Sequence, residues 1–198
     1  VKQIPRKRFE LEGGEKEIAV LRHAQDSDDG GHRNVIRLSQ QLKNEHSVYI
    51  VMELCDETLE HRIQRAGGFE SFEARRMACD QLCQGLRYLH TLPEAITHRD
   101  LKPSNILVNR NCDLKICDFG LARTYGCPLR AYTQLVVTLW YRAPELLLDE
   151  GVYSPAIDVW SMGCIMAELL TRKPLFKGKS ELELIDKVFA VLGTPTDE

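Results

Sequence analysis

Apolar residues in the first quarter of the chain fall in short runs that are separated by polar turns. Residues 35–38 and 48–52 are two such runs, rich in β-branched side chains, and the polar residues 43–47 lie between them. Runs of this kind are typical of strands. The pattern therefore predicts two neighbouring strands that are joined by a turn.

Helical spacing dominates the rest of the chain. A short helical pattern at residues 15–23 precedes the strands, and longer patterns span residues 78–89 and 157–170. The asymmetry predicts an α+β fold, with a small sheet-bearing part at residues 1–54 and a larger, mainly helical part at residues 55–198.

Two smaller features connect these elements. Residues 106–108 and 114–116 are apolar runs around a polar turn, which predicts a short hairpin. Ser154 and Pro155 supply a helix cap and a first-turn proline at the start of the second long helix. That helix is apolar on most sides, so we predict that it lies at the centre of the helical part.

Charge and cysteine content narrow the classes of function. A formal net charge of -3 gives no basic field for nucleic acid or for an anionic membrane surface, so neither is expected as a partner. The sequence contains no run of about 18 apolar residues, so no transmembrane helix is predicted. The seven cysteines form no C-x-x-C pair, which favours reduced thiols and an intracellular protein of the nucleus, the cytoplasm or both. The chain begins with Val1, which indicates a piece of a longer protein.

The candidate chemistry is concentrated between the first long helix and the predicted hairpin, in His98-Arg-Asp-Leu-Lys-Pro-Ser-Asn105. This segment resembles the catalytic loop of protein kinases, H-R-D-L-x-x-x-N, with every fixed position filled. The resemblance implies a protein-kinase-like fold of two lobes and transfer of the γ-phosphate of ATP. Asp100 would then accept the proton of the attacking hydroxyl, and Asn105 would bind Mg²⁺ through its oxygen. Lys102 would place a positive charge near the phosphate, as in serine/threonine kinases.

Two further kinase motifs follow in the order that the family has. Asp118-Phe-Gly120 comes directly after the predicted hairpin and resembles the metal-binding D-F-G, so Asp118 would hold Mg²⁺ and Gly120 would allow a sharp turn. Ala143-Pro-Glu145 resembles the A-P-E that closes the activation segment. Each motif alone could be a surface run, an ordinary turn or a helix start. Their order and their loop contexts favour the kinase interpretation.

The same resemblance assigns an ATP site to the sheet-bearing part. Lys2, in Val-Lys-Gln-Ile, matches the lysine of the kinase V-A-x-K strand, although a lysine near a chain end is commonly just solvated. Glu17 falls where the family has its paired helix glutamate. An ion pair between Lys2 and Glu17 would hold the lysine toward the α- and β-phosphates.

Residues 53–55 resemble the connector that binds adenine in kinases. Glu53 and Cys55 would face the base with their backbone groups, and Met52 would act as the gatekeeper that limits the depth of the pocket. An ordinary strand end is the simpler interpretation. Cys117 would face the same pocket, either as a packed and inert thiol or as a reactive one.

Residues 118–145 resemble cyclin-dependent kinases, most of all the PITSLRE-type group. By that resemblance Thr133 is the site of an activating kinase, and its phosphate would pair with Arg99 and Arg123. Lys16 replaces the third arginine of that cluster. Lysine lacks the planar bidentate fork, so we expect a weaker phosphate switch.

The resemblance also implies the partners. Residues 136–140 would form the wall that receives the substrate residue after the phosphoacceptor. In relatives the arginine that matches Arg142 holds the carbonyl at the Val137 position away, so an incoming N–H lacks an acceptor and proline fits best. Protein substrates with Ser/Thr-Pro sites are therefore expected. A cyclin is implied too, although residues 12–17 depart from the helix that recognises cyclins.

Asp158 matches the buried aspartate that joins the central helix to the catalytic loop of kinases. A carboxylate that is favoured by the dipole at a helix start is the simpler interpretation of this residue.

Two alternatives stay open. Residues 111–120 are equally typical of MAP kinases, although Thr133 lacks the x-Tyr that follows the phosphorylated threonine in those enzymes. A pseudokinase that binds partners without turnover is the other, and the intact Asp100, Asn105 and Asp118 argue against it. Since the glycine-rich loop and the last helices of the family are missing from the sequence, we expect the chain alone to be inactive and poorly stable.

Overall fold

The computed structural model describes residues 1–11, 13–26, 30–65, 69–124, 138–148 and 154–194. Within these residues the helices are α1 Arg6–Leu11, α2 Gly14–His23, α3 Leu59–Gln64, α4 Phe72–Thr91, α5 Pro144–Leu147, α6 Ala156–Thr171 and α7 Glu181–Leu192. The strands are β1 Lys2–Pro5, β2 Leu38–Lys43, β3 Ser47–Met52, β4 Glu57–Thr58, β5 Ile96–Thr97, β6 Ile106–Val108, β7 Leu114–Ile116 and β8 Arg123–Thr124. The predicted α+β architecture is confirmed.

Three strands near the start of the chain form an antiparallel sheet in the order β1-β3-β2. Strand β3 confirms the predicted strand at residues 48–52. The predicted strand at residues 35–38 was wrong. The strand that pairs with β3 is β2, which lies further along the chain in the mostly polar segment Leu38–Lys43.

The apolar run at residues 35–38 serves the larger core instead. Val35 and Ile36 are buried there, Val35 bridges Ile116 of β7, and the Ile36 N–H donates to the Ile116 carbonyl at 2.9 Å. A short apolar run does not distinguish a strand from an irregular segment that is buried through its side chains. Strand β2 needs few apolar residues because much of it faces solvent.

Helix α2 confirms the helix predicted at residues 15–23 and covers the small sheet. Its residue Ile18 packs with Phe9, Val48 and Ile50 in a small core of their own. Such a core removes little apolar surface from water, so it contributes correspondingly little stability.

The turn between α1 and α2 depends on two glycines. Gly13 has a φ of 72°, which is costly for other residues. A Cβ on Gly14 would lie 2.2 Å from a ring carbon of Phe9. The small core therefore requires close approach of the backbone at Gly14.

Helices α4 and α6 confirm the two long helices and pack in the larger core. Pro155 precedes the first helical residue of α6, so it occupies the cap position and not the first turn, and Ser154 Oγ accepts from the Ala156 N–H at 3.2 Å. Val159 and Leu170 are about half exposed, at 52% and 53%. Helix α6 is therefore buried on one side, through residues that include Ile165 and Leu169, and exposed on another, and its place at the centre of the helical part stays a prediction.

The larger core takes in residues from both sides of position 54. Val20, Leu21 and Ala24 join it from α2 and the following residue, together with Val35 and Ile36. The sheet-bearing part thus packs against the helical part, because some of its apolar residues are buried in the larger core. Among the described helices, none combines the length and the hydropathy that crossing a bilayer requires.

Candidate functional site

A buried carboxylate of α6 holds the backbone of the loop that follows β5. Asp158, at the start of α6, is fully buried and accepts from the backbone N–H of His98 at 2.7 Å and of Arg99 at 2.8 Å. His90 Nε2 of α4 lies 2.9 Å from the same carboxylate. The predicted link between the central helix and this loop is confirmed, and it holds Arg99 at a φ of 71°.

The three predicted catalytic side chains lie together at the end of this loop. Lys102 Nζ donates to Asp100 Oδ2 at 2.8 Å, and Asn105 Nδ2 donates to the same oxygen at 2.9 Å and to the Asp100 carbonyl at 2.8 Å. The proline at the start of the 3-10 turn Pro103–Asn105 favours this short return of the chain. Because the amide nitrogen of Asn105 is engaged, its side-chain oxygen is the atom left for a ligand.

Lys2 of β1 reaches the same region from the sheet. Its ammonium lies 2.8 Å from Glu17 Oε1 on α2 and 3.0 Å from Asp118 Oδ1 after β7. The predicted pair between Lys2 and Glu17 is present, and Glu17 is nearly buried in it.

The charges of this triad stabilise one another. Burial works against the charge of Lys2, but Asp118 and Glu17 outweigh it and raise the pKa of Lys2 above its ordinary value. Burial alone would also raise the pKa of Asp118, and the Lys2 ammonium reverses this and lowers that pKa. At neutral pH both groups are therefore charged.

The sharp turn at the D-F-G motif is made by Asp118 and not by Gly120. Asp118 has a φ of 63°, whereas Gly120 is not among the residues with positive φ. Aspartate tolerates the left-handed region better than most residues, so the predicted role of Gly120 in the turn was wrong. Phe119 is buried, with its ring edge-on to His98 at 5.1 Å, which fixes the motif to the catalytic loop.

The connector after β3, residues 53–55, is held in place by hydrogen bonds and an ion pair of the Glu53 side chain. Met52 ends β3 and is half-buried, and Cys55 is also half-buried. Glu53 Oε1 accepts from the Arg37 N–H at 2.8 Å, and its Oε2 lies 2.8 Å from Lys115 Nζ.

Lys115 was missed by sequence reasoning. It alternates with the buried Leu114 and Ile116 along β7, which is the signal that places its side chain away from the core. Nothing in the pattern named Glu53 as its partner, because the two are 62 positions apart in the chain.

Cys117 is a packed thiol. Burial, more than the nearby Asp118 carboxylate, raises the pKa of Cys117 to about 12. Thiols react as thiolates, so the structure favours the inert alternative for this residue.

The predicted regulatory residues are described only in part. Thr133 and Val137 lie outside the described residues. Arg123 lies opposite Thr97 in the β5–β8 pair, and its Nη1 donates to the Ala122 carbonyl at 2.6 Å. Lys16 is exposed on α2.

Arg142 faces helix α7. Its Nη1 lies 3.3 Å from Glu181 Oε1, and its side chain is mostly buried. The neighbouring Tyr141 donates to the buried Glu168 at 2.6 Å, and Ser161 donates to the Tyr141 carbonyl at 2.7 Å. Burial raises the pKa of Tyr141 and of Glu168 above their usual ranges. These anchors were also missed, since a Glu in an apolar helix carries no sign of its partner.

The donor atoms suit magnesium better than a transition metal. Within the described residues no three His, Cys, Asp or Glu side chains are arranged around one point. Asp118 and Asn105 each have a side-chain oxygen to offer, and the Asp118 side chain is 46% exposed. Mg²⁺ is commonly bound by one or two protein oxygens together with water and phosphate, so this sparse set fits it.

Two features define the protein kinase class of phosphotransfer site. The first is a loop with an aspartate, a lysine and an asparagine, here Asp100, Lys102 and Asn105. The second is a lysine that binds both a helix glutamate and a second aspartate, here Lys2 with Glu17 and Asp118. Comparison with known proteins agrees, because the family model for the protein kinase domain matches residues 1–196. The chain belongs to the protein kinase domain family.

Three relatives with high identity are cyclin-dependent kinases of plants. The chain is 55% identical over 157 residues to "Cyclin-dependent kinase G1" of Arabidopsis thaliana, covering 78% of this chain and 25% of that protein. It is 48% identical over 168 residues to "Cyclin-dependent kinase G-1" of Oryza sativa subsp. indica, covering 84% and 24%. "Cyclin-dependent kinase G-2" of the same rice is 53% identical over 152 residues, covering 77% and 21%.

These relatives support the cyclin-dependent branch and not the MAP kinase alternative. The narrower resemblance to PITSLRE-type kinases stays a prediction. The chain spans about a quarter of the length of the curated relatives it matches.

Proposed function

We propose that the protein to which this chain belongs is a serine/threonine kinase that transfers the γ-phosphate of ATP to Ser/Thr-Pro sites and works with a cyclin. The observation that carries the proposal is the pair of hydrogen bonds that the Lys2 ammonium donates, one to Glu17 and one to Asp118, which lies 116 positions after Lys2 in the chain. The names of the relatives support the cyclin-dependent part.

At the reacting group, Asp100 aligns the attacking hydroxyl and accepts its proton. Lys102 lies beside Asp100 at 2.8 Å and places a positive charge where negative charge develops on the transferring phosphate. Asn105 and Asp118 hold Mg²⁺, which supplies charge neutralisation on the phosphate oxygens when it is bound.

For the nucleotide, Lys2 binds the α- and β-phosphates, and Glu17 keeps its side chain extended toward them. The backbone of Glu53 and Cys55 binds adenine, with Met52 at the back of the pocket. The bonds from Arg37 and Lys115 to the Glu53 side chain fix the position of that backbone.

Regulation and substrate choice use residues further along the chain. An activating kinase phosphorylates Thr133, and Arg99 and Arg123 bind the phosphate. Val137 and Arg142 select proline after the phosphoacceptor.

We further propose a lobe boundary at residues 54 and 55, and an intracellular location in the nucleus, the cytoplasm or both. The separate small core of the sheet supports the boundary. The free thiols of the described residues suit a reducing compartment.

The test is phosphotransfer by the full-length protein, purified with its bound partners, on matched Ser-Pro and Ser-Ala peptides. We expect the Ser-Pro peptide to be preferred, and Asp100→Asn to lower kcat by about a hundredfold or more without unfolding the protein. Asp186→Asn, an exposed carboxylate on α7, is the matched control. Binding of ATP with no phosphate transfer to any peptide would support the pseudokinase alternative instead.

A further inference from the structure

A cavity of about 220 Å³ lies where residues 24–37 meet the connector and β7. Of the described residues proposed to bind ATP or Mg²⁺, Glu53 alone lines it. A cavity of about 150 Å³ can hold benzene, so this one has room for a small ligand. The cavity is therefore a candidate site of its own.

Basic side chains dominate the charge of this cavity. Four of them line it, namely His32, Arg33, Arg37 and Lys115, and Glu53 is the one acidic residue among the described residues of its wall. Arg33 pairs with Asp113 at 2.6 Å, and Lys115 pairs with Glu53 at 2.8 Å. The wall thus carries more positive charge than its own carboxylate neutralises, which favours an anionic ligand.

Arg37 brings an available guanidinium to the cavity. Glu53 fixes the backbone of Arg37, because its Oε1 accepts from the Arg37 N–H at 2.8 Å and its N–H donates to the Arg37 carbonyl at 3.0 Å. The Arg37 Nη2 lies 3.9 Å from the position that a Cβ on Gly30 would take, so the guanidinium lies beside that glycine at the cavity wall. Within the described residues this guanidinium forms no ion pair. Its planar fork suits a phosphate or a carboxylate.

His32 adds a neutral donor. Its ring stacks on Tyr88 at 5.1 Å, and its Nδ1 accepts from the Asn34 N–H at 3.1 Å. Burial and three nearby cations lower the pKa of His32 below its ordinary value, so the ring is mostly neutral at pH 7. The other ring nitrogen, Nε2, therefore carries the proton and can donate to a ligand.

We propose that this cavity binds a small molecule that carries a phosphate group, with Arg37 and His32 as the donors. A phosphate monoester has nearly two negative charges at pH 7. It therefore gains more than a carboxylate does from Lys115 and Arg33 in the same wall.

The experiment follows the ³¹P NMR line width of inorganic phosphate and of glycerol phosphate as the full-length protein is added, at an ionic strength fixed with chloride. We expect the native protein to broaden the lines. Equal affinity for the two probes would show that the phosphate group alone is recognised, and tighter binding of glycerol phosphate would show that the rest of the cavity is used as well.

Arg37→Gln should weaken this binding about tenfold or more, because hydrogen bonds to a charged group are lost. Arg76→Gln is the matched control, since Arg76 is an exposed arginine of α4 that does not line the cavity. It should bind as the native protein does. Lys2→Met removes the lysine proposed for the nucleotide phosphates, and it should leave the affinity of the cavity unchanged.

Gly30→Asp and Gly30→Asn test the role of charge at one position. Gly30 has a φ of 69°, a region that aspartate and asparagine tolerate better than most residues. The aspartate would place a carboxylate of the chain beside Arg37, so it should bind the probes about tenfold more weakly than the asparagine variant of the same size. Equal affinities of the two variants would contradict a site built on Arg37.

Three other results would overturn the inference: no broadening with either probe, binding that Arg37→Gln leaves unchanged, or binding that Lys2→Met abolishes. None of these measurements requires phosphotransfer. The inference and the proposed function can therefore fail independently of each other.

Discussion

The loop that contains Asp100 and the strand that contains Lys2 rest on cores of very different size. Asp158, which is fully buried, holds the loop through two backbone N–H groups, within a core that spans most of the helices. Lys2 sits on a sheet whose small core has, among the described residues, four buried side chains, Phe9, Ile18, Val48 and Ile50. The residues proposed for the chemistry are therefore more firmly positioned than the lysine proposed for the nucleotide. This difference predicts that the sheet-bearing part unfolds before the helical part. Four changes to the full-length protein test the difference between the two regions.

Asp158→Ala should have the largest effect. It leaves the N–H groups of His98 and Arg99 without their acceptor in a buried place, at a cost of about 3–5 kcal/mol in the free energy of unfolding. Denaturant unfolding measures the loss. Asp186→Ala, an exposed aspartate on α7, should cost about 0.5 kcal/mol or less. Equal effects of the two changes would remove the contrast between the regions.

Gly14→Ala should act on the small core alone. The added methyl group meets the Phe9 ring at 2.2 Å, and overpacking of this kind costs about 1–3 kcal/mol. We expect faster hydrogen exchange in β1 to β3 and unchanged exchange in α4. Gly163→Ala in α6 is the control, because a Cβ there meets nothing within 4 Å, and alanine should stabilise the helix by up to about 1 kcal/mol. Unfolding of the whole chain as one unit would contradict a separate small core.

Lys115→Met tests the link between the two regions. It removes the bond that joins β7 to Glu53, so the backbone proposed to bind adenine is less firmly held. Loss of a partly buried pair worth about 1 kcal/mol should raise KM for ATP about fivefold and change kcat little. Lys43→Met, at an exposed lysine of β2, is the control. If Lys115→Met changed kcat alone and left KM for ATP unchanged, Lys115 would have no role in nucleotide binding.

The pH dependence of the Lys2 pair should be the smallest effect. Since the pKa of Lys2 is raised above 10.5, its contribution to stability is complete below that pH and is lost as the pH rises through the folded value. The pKa of Asp118 is lowered below 3.8, so its contribution is present above that pH and is lost as the pH falls through the folded value.

We therefore expect the difference in stability between the native protein and Lys2→Met to stay constant from about pH 5 to pH 9. It should be under about 1 kcal/mol, because both side chains are partly exposed. Lys7→Met, at an exposed lysine of α1, corrects for general titration of lysines. A difference that grows or shrinks inside this window would show that another group titrates with the pair.

The sequence by itself determined the elements that have strong periodicity and the motifs that are contiguous. Helices α2, α4 and α6, the hairpin of β6 and β7, and the loop from His98 to Asn105 could all be predicted, because their signals lie within one stretch of chain. The pairing of Lys2 with Glu17 could be predicted only from the resemblance to a family.

Tertiary structure alone decided the contacts between distant residues and the fate of short apolar runs. It buried residues 35 and 36 in the larger core, made Asp118 the turning residue, and brought Lys115 to Glu53 and Tyr141 to Glu168. The physical reason is that burial and hydrogen bonding depend on which surfaces meet. A local pattern states which residues avoid water, and not which partners cover them.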